Sequence, residues 1–226
     1  MSATAKDNPE SILVVGRSPG VLEDTVAILR SKGYAANATN QFDRVLDDYD
    51  VADIDVVVFG GMVPADTKQH LREQISARNT DVTFLQGLAG IAGLIAAQVQ
   101  GLIASNEPDG SDVVYNADNR MVQVTLSEPA HVTVNAWWAT SFTPPEPAST
   151  SLQLLDNDLT AGRHAIALPE RVPSQASFVT VAVGSAVHAL TVGPMPESVM
   201  RRVPTGGASP SAGGGLPPVR AVTTQS

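Results

Sequence analysis

The chain has 226 residues, 43% of them hydrophobic, 16% charged and 4% aromatic, with a net charge of −9 and no cysteine. That length holds one large domain or two small ones, and the missing thiols exclude disulfides, thiolate metal sites and a cysteine nucleophile. Residues 1–110 carry 8 basic against 15 acidic side chains, 111–193 carry 3 against 7, and 194–226 carry 3 against 1; two acidic globular parts would repel nucleic-acid phosphates, so no nucleic-acid partner is expected.

Residues 1–10 are polar, have no apolar h-region and read as a disordered N-terminus, which points away from a secretory signal and toward a cytoplasmic address. Ile12–Val15 is a four-residue apolar run of the kind found in a strand covered on both faces. Ser18-Pro19 supplies an N-cap and a proline at the first helical position, followed by Glu23 and Asp24 in the early turns. Leu22, Val26 and Leu29 then recur at helical spacing, and Lys32-Gly33 ends the helix. Tyr34–Thr39 predicts a weak second strand, Gln41–Tyr49 a short acidic helix and Val56–Phe59 a third strand. Ala65–Arg78 reads as a polar-faced helix with Leu71 and Ile75 inward, and Val82–Leu85 as a fourth strand. Strands interleaved with helices imply a parallel sheet with right-handed crossovers.

Leu88–Ala104 is 17 residues long and nearly all apolar, at the short limit for a membrane span. Gln98 and Gln100 lie inside it and it follows a strand after a two-residue turn, so a buried helix is expected and no membrane. Ala89, Gly93, Ala97 and Gly101 recur every fourth residue as a ridge of small side chains. Such a ridge lets another backbone approach closely, either the chain's own sheet or a second copy across a homodimer seam.

Residues 105–112 form a polar, turn-rich linker, closing a first domain over 11–104. Beyond it the pattern changes to period two. Met121–Leu126, His131–Asn135, Ser151–Leu155, His164–Leu168, Ser177–Val183 and Ala186–Val192 alternate between turn signals, which predicts an antiparallel β-sandwich of six to eight strands over 113–193, of immunoglobulin-like or fibronectin-like build. Trp137-Trp138 lies in a mid-sequence strand, whose pleat sends one ring into the core and leaves the other as a contact residue. From 194 to 226 periodicity is lost among Gly, Pro, Ser and Ala, the composition of a disordered tail, for which inert disorder is the commoner case and a tether or peptide ligand the alternative.

Over residues 11–104 the order of elements, Val14-Val-Gly-Arg-Ser-Pro-Gly-Val-Leu-Glu-Asp24, Lys32-Gly-Tyr34 and Phe59-Gly-Gly-Met-Val-Pro64 resemble a response-regulator receiver domain. The resemblance implies a flavodoxin-like α/β fold with an acidic pair after the first strand, a phosphate-accepting aspartate ending the third, and Ser/Thr and Lys at the last two strand ends. In this chain the acidic pair falls on Gly16-Arg17, the phosphoacceptor on Gly60 and the Ser/Thr position near Gln86-Gly87. The lysine has no counterpart, because the fifth strand is expected to be missing. Phosphoryl transfer to a carboxylate needs that carboxylate, oxygen ligands for magnesium and a cation on the phosphoryl oxygens. The resemblance therefore implies a frame whose switch chemistry is lost.

The residues leave one ligand hypothesis. Gly16, Arg17 and Ser18 precede a predicted helix N-terminus, and Gly60 and Gly61 face them across the sheet edge, as a candidate anion or nucleotide site. The pattern is neither a Walker loop nor a three-glycine dinucleotide fingerprint, and the plain alternative is that these glycines make tight strand-to-helix turns. His70, His131, His164 and His188 show no metal-ligand spacing, and no serine sits in a nucleophile elbow. No catalytic residue, metal or cofactor is expected. The sequence predicts α/β plus all-β architecture: a shortened, roughly four-stranded receiver-like domain, a small sandwich and a loose tail. Its expected role is non-catalytic, an interaction or scaffold protein with a protein partner or a second copy of itself, the alternative being a Rossmann-like ligand-binding or enzymatic domain.

Overall fold

The structure, a computed structural model, describes residues 9–104, 110–141, 148–193 and Val219. By packing, the chain divides into two units, one comprising Met1–Ala92 with Val203–Ser226 and the other Gly93–Arg202.

The first unit is built on a parallel sheet of β1 (Ser11–Val15), β2 (Ala35–Thr39), β3 (Val56–Phe59) and β4 (Thr83–Gln86), in the order β2-β1-β3-β4. This is the flavodoxin-like strand order without a fifth strand among the described residues. β1 and β3 are central, with Ile12 in register with both Ala36 and Val56. Ile12–Val15 and all of β3 are buried, as unbroken apolar runs must be when both sheet faces are covered. Leu13, Val15, Val57 and Phe59 share one cluster with Val45, Leu71 and Ile75, while the alternate residues Ile12, Val14, Val56 and Val58 point to the opposite face.

Helix α1 (Pro19–Ser31) follows the expected punctuation. Ser18 is extended and caps it, Pro19 opens it, and Leu22, Val26 and Leu29 form its buried stripe. At its end Gly33 has φ +92°, and Gly33 N–H donates to Arg30 O (3.0 Å) while Tyr34 N–H donates to Leu29 O (3.2 Å). These two bonds form a Schellman motif, which requires a left-handed residue at the position that Gly33 fills. The acidic segment expected as one helix is instead a 3₁₀ turn, Phe42–Arg44, running into a single α turn, α2 (Val45–Asp48). Only Val45 of α2 is fully buried, so packing supports no longer helix. Helix α3 (Ala65–Ser76) buries Leu71 and Ile75, as expected.

The second unit contains helix α4 (Ala92–Ala104) and seven strands among the described residues: β5 (Ser111–Asn116), β6 (Met121–Leu126), β7 (Ala130–Ser141), β8 (Ala148–Leu159), β9 (Gly162–Ala167), β10 (Ser177–Val183) and β11 (Ala186–Val192). They form antiparallel sheets ordered β5-β6-β9 and β11-β10-β7-β8. Hairpin neighbours pair within a sheet, and β6–β9 and β7–β10 add the long-range pairings of a sandwich. Val122, Val124, Val132, Val134, Val179 and Val181, all inward members of alternating strands, make its core. β5 begins inside the stretch expected to be linker, because Asp112-Val-Val-Tyr offers too short an alternation to stand out.

Helix α4 starts at Ala92, four residues later than the apolar stretch suggested, because Ala89 and Gly90 both have left-handed φ, 56° and 60°. Leu94, Ile95, Ala96, Ala97 and Val99 are buried. No helix among the described residues is long and apolar enough to cross a membrane. The N-terminal residues 1–8, residues 105–109 of the expected linker and, Val219 apart, the expected tail from 194 onward lie outside the described residues.

Candidate functional site

A parallel sheet gathers its turns and helix N-termini at the C-terminal ends of its strands, and ligands of open α/β sheets bind where the strand order reverses. Here that point lies between β1 and β3. Gly16 and Gly60 meet there: a Cβ on Gly60 would lie 3.3 Å from Gly16 Cα and 3.5 Å from Val15 O. The two turns touch at Gly60, whereas a Cβ on Gly16 would meet Leu22 Cδ2 at 3.0 Å. Their amides are already committed, Gly16 N–H to Thr39 O (3.0 Å) and Gly60 N–H to Val15 O (2.8 Å). Ser18 is buried, and its hydroxyl accepts a long bond from Val21 N–H (3.5 Å) as the cap of α1. Arg17 is exposed. Gly61 has open space around its α-carbon and Met62 is 43% exposed. The structure thus brings the five predicted site residues to one edge, with the Gly16 and Gly60 amides spent on tying the strand ends together.

Two further groups furnish this edge. At the β4 end, Gln86 Nε2–H donates to Phe59 O (2.9 Å), and Gln86 Oε1 accepts from Lys68 Nζ (2.9 Å). Lys68 comes from α3, so the edge has a lysine, supplied by a helix rather than by a fifth strand. Burial, and then the nearby Arg72 guanidinium, lower its pKa. Arg72 lies over the Phe59 ring (5.3 Å to the centroid), which stacks on Phe84 at 5.9 Å. At the β2 end, Thr39 and Asn40 are buried polar residues. Thr39 Oγ1 accepts from Gln41 N–H (3.0 Å), and Tyr49 Oη donates to Ala38 O (3.0 Å). Asn40 Oδ1 accepts from Gln41 Nε2 (2.8 Å) and from the backbone N–H of Val219 (3.3 Å). Lys68 and Asn40 carry no motif in the sequence; Asn40 owes its place to the end of β2 and Lys68 to the path of α3, while Gln86 falls where the resemblance put a Ser/Thr position.

Of the residues expected at an interface, Gly93, Gly101, Trp137 and Trp138 pack within the second unit. β7 alternates Val132, Val134, Ala136 and Trp138 toward the sandwich core, so Trp138 is the inward ring and Trp137 the outward one. Trp137 Nε1–H donates to Thr180 Oγ1 (2.9 Å), and its ring lies where a Cβ on Gly93 would be. A Cβ on Gly101 would likewise collide with Val187 O. Ala89 lies outside the helix, and Ala97 is buried in it. At Gly93 and Gly101 the small residues therefore serve a close approach of α4 to the chain's own β7 and β11, and Trp137 packs on that helix.

The histidines are dispersed. His188 Nε2 lies 3.2 Å from Ser111 Oγ, and His164 Nε2 lies 2.8 Å from Thr160 O. On the outer face of β7, both ring nitrogens of His131 are 2.8 Å from carboxylate oxygens, Nδ1 from Asp158 and Nε2 from Asp156. A neutral imidazole has one N–H and cannot donate to both. Hydrogen bonding to Asp158, then to Asp156, accordingly raises the His131 pKa, and the bonds from His131 and then Thr133 lower that of Asp156. Among the described residues no cluster of His, Asp and Glu is arranged to hold a metal ion. No protein-family model matches the chain, and no curated protein matches it.

Proposed function

We propose that this chain works through its surfaces rather than by catalysis, as an interaction or scaffold protein built on a receiver-like frame without the phospho-switch. One observation carries the reading. Where a receiver would hold an acidic pair and an acceptor aspartate, Gly16 and Gly60 stand in mutual contact with their amides bonded to Thr39 O and Val15 O. That arrangement favours a closed structural turn over a cradle for a phosphoryl group, which needs carboxylates, a metal and free donors. The acidic balance of residues 1–110 and 111–193 favours a protein partner over a nucleic acid. The step from a surface without switch chemistry to a binding role is one of fold-level analogy.

The test is a thermal-shift titration of the full chain with phosphate, acetyl phosphate plus magnesium, and nucleotides at millimolar concentration. No change in melting temperature is expected. A rise that Arg17→Ala abolishes would replace this reading with the alternative, an anion- or nucleotide-binding edge formed by Gly16, Arg17, Ser18, Gly60 and Gly61.

A further inference from the structure

We propose that β8 is a self-association edge: a second copy of this chain adds its own β8 antiparallel to it, about a twofold axis at the middle of the strand. The inference rests on the interaction reading, whose partner it names.

β8 runs 12 residues, Ala148–Leu159, about twice the usual strand length of about 5–6. It ends the sheet β11-β10-β7-β8, and β9, the next strand in sequence, belongs to the other sheet. Among the described residues β7 is therefore its one paired neighbour, and the outer edge presents a row of backbone N–H and C=O groups. Proteins keep such an edge from pairing by making it short or by placing lysine or proline on it. Ala148–Leu159 contains no Lys, Arg or Pro. Leu152, Leu154 and Leu155 are half-buried: they pack on the sandwich core and keep part of their surface in water.

One protective device is present, a β-bulge. Gln153 is in register with Asn135 and Leu155 with Val134, which leaves Leu154 without a counterpart. The bulge lies at the midpoint of the strand and changes which residues share a face. Val132, Val134, Ala136 and Trp138 of β7 point inward, so Asn157, Leu155, Leu152 and Thr150 opposite them share that face, while Ser149, Ser151, Asp156 and Asp158 face outward. When two copies of β8 align antiparallel over their full length, Ser149 lies opposite Asp158, Thr150 opposite Asn157, Ser151 opposite Asp156 and Leu152 opposite Leu155. Each pair joins two residues of one face, as antiparallel pairing requires. In a regular strand of even length the same alignment would set inward residues against outward ones; the bulge supplies the missing step.

The pairs are also matched in chemistry. Leucines meet at the axis as an apolar centre, and toward each end a serine hydroxyl faces a carboxylate to which it can donate, giving the interface a polar rim. The acidic residues of β8 are confined to its last third, so antiparallel alignment separates the two acidic ends. Asp156 of one copy then lies about 15 Å along the strands from Asp156 of the other, beyond the screening length of about 8 Å. A basic partner suits the edge less well, because these carboxylates are already engaged. Asp156 and Asp158 each lie 2.8 Å from a ring nitrogen of His131, and Asp156 also accepts from Thr133 Oγ1 (3.1 Å) and Gln153 Nε2 (3.2 Å). Ala148–Leu155 is uncharged, and what it offers is backbone pairing, the interaction on which strand addition rests.

The experiment follows the full chain by sedimentation velocity and hydrogen exchange between about 5 and 500 μM, the regime of a small, transient interface. The mass should rise from that of one chain toward that of two. The amides of Ala148–Leu159 should exchange about fivefold more slowly at the high concentration, while those of β4, an edge of the parallel sheet, stay unchanged. Both copies carry a net charge of −9, so added salt should strengthen association. Ser151→Asp sets a carboxylate against Asp156 of the second copy, twice across the axis, and should weaken association about tenfold, whereas Ser151→Lys should tighten it. Ser151 is exposed, so both variants should keep the melting temperature of the wild-type monomer. Ser185→Asp makes the same charge change in the exposed turn between β10 and β11 and should alter association less than about twofold.

A monomer at every concentration, a dimer whose β8 amides gain no protection, β8 protection already complete in the dilute monomer, or equal effects of Ser151→Asp and Ser185→Asp would each overturn the proposal. Association that weakens with salt, or β8 protection conferred only by an added oligolysine, would assign the edge to a basic partner and overturn it as well. A persistent monomer removes only this choice of partner, whereas a nucleotide-induced thermal shift removes the interaction reading itself.

Discussion

Replacing Gly101 by alanine tests whether α4 is packed against β11 as closely as the structure has it. In an exposed helix the change would stabilise by about 1 kcal/mol, since alanine is the better helix former. Here the new Cβ would lie 2.3 Å from Val187 O and 3.9 Å from Val187 Cβ. The obstacle is backbone, the carbonyl of the second residue of β11 in register with Ala182 of β10, so no rotamer change relieves it and the helix must move by about 1 Å. Overpacking of this kind costs about 1–3 kcal/mol, and a backbone obstacle puts it at the upper end. Setting about 3 against the propensity gain of about 1 leaves a net loss of about 2 kcal/mol. For a unit the size of Gly93–Arg202, each kcal/mol moves the melting temperature by about 4 °C. Gly101→Ala should therefore melt about 8 °C lower by circular dichroism, with the same sign in urea. A variant that melts higher than wild type refutes the close packing, because the sign separates a crowded glycine from an exposed one.

Other outcomes follow from single contacts. Trp137→Phe leaves the buried Thr180 hydroxyl (5% exposed) without its indole donor and should cost about 1–3 kcal/mol in urea unfolding. Adding Thr180→Val should recover part of that loss, and strict additivity of the two changes would show that no such bond exists. Gly60→Ala pushes two turns apart and should destabilise by about 1 kcal/mol or more, whereas Gly61→Ala, with nothing within 4 Å of its Cβ, should be neutral or slightly stabilising; equal effects would remove the Gly16–Gly60 contact. His131 should titrate above the ordinary histidine value of about 6.5 by NMR. Because the folded pKa is the higher one, its contribution is complete below the unfolded value and fades as the pH rises through the folded value. Asp156 has the opposite sign: its folded pKa is depressed, so its contribution holds above the ordinary carboxylate range and fades as the pH falls through the folded value. His131→Gln should remove the part of the stability that fades above the ordinary histidine value, and a ring titrating at or below that value would contradict the two-carboxylate clamp.

Local chemistry by itself determined much of this protein. Ile12–Val15 and Val56–Phe59 had to be buried strands because nothing in either run tolerates water. Ser18-Pro19 and Gly33 had to bracket a helix, since one supplies a cap acceptor and the other a left-handed residue. Alternation in Met121–Leu126 had to give a half-buried strand, whereas Ser177–Val183 is buried at every residue but Ala182 because both of its faces are covered. The sheet edge was legible to the same extent: Gly16 and Gly60 directly follow the two buried apolar runs, and the pairing of β1 with β3 places them side by side.

What the tertiary structure decided is which distant groups meet. An apolar helix without a polar face states no preference for a neighbour, so only packing assigns Gly93 and Gly101 to Trp137 and Val187, where the sequence left the chain's own sheet and a second copy as alternatives. Lys68 reaches the edge because α3 crosses back over the sheet, not because of any residue beside it in sequence. Asn40 and Val219 share a hydrogen bond across 179 positions, and no periodicity or motif encodes such a pair. Burial patterns are properties of neighbouring residues and can be read along the chain; contacts between remote segments depend on where every intervening element lies, and that information exists only once the chain has folded.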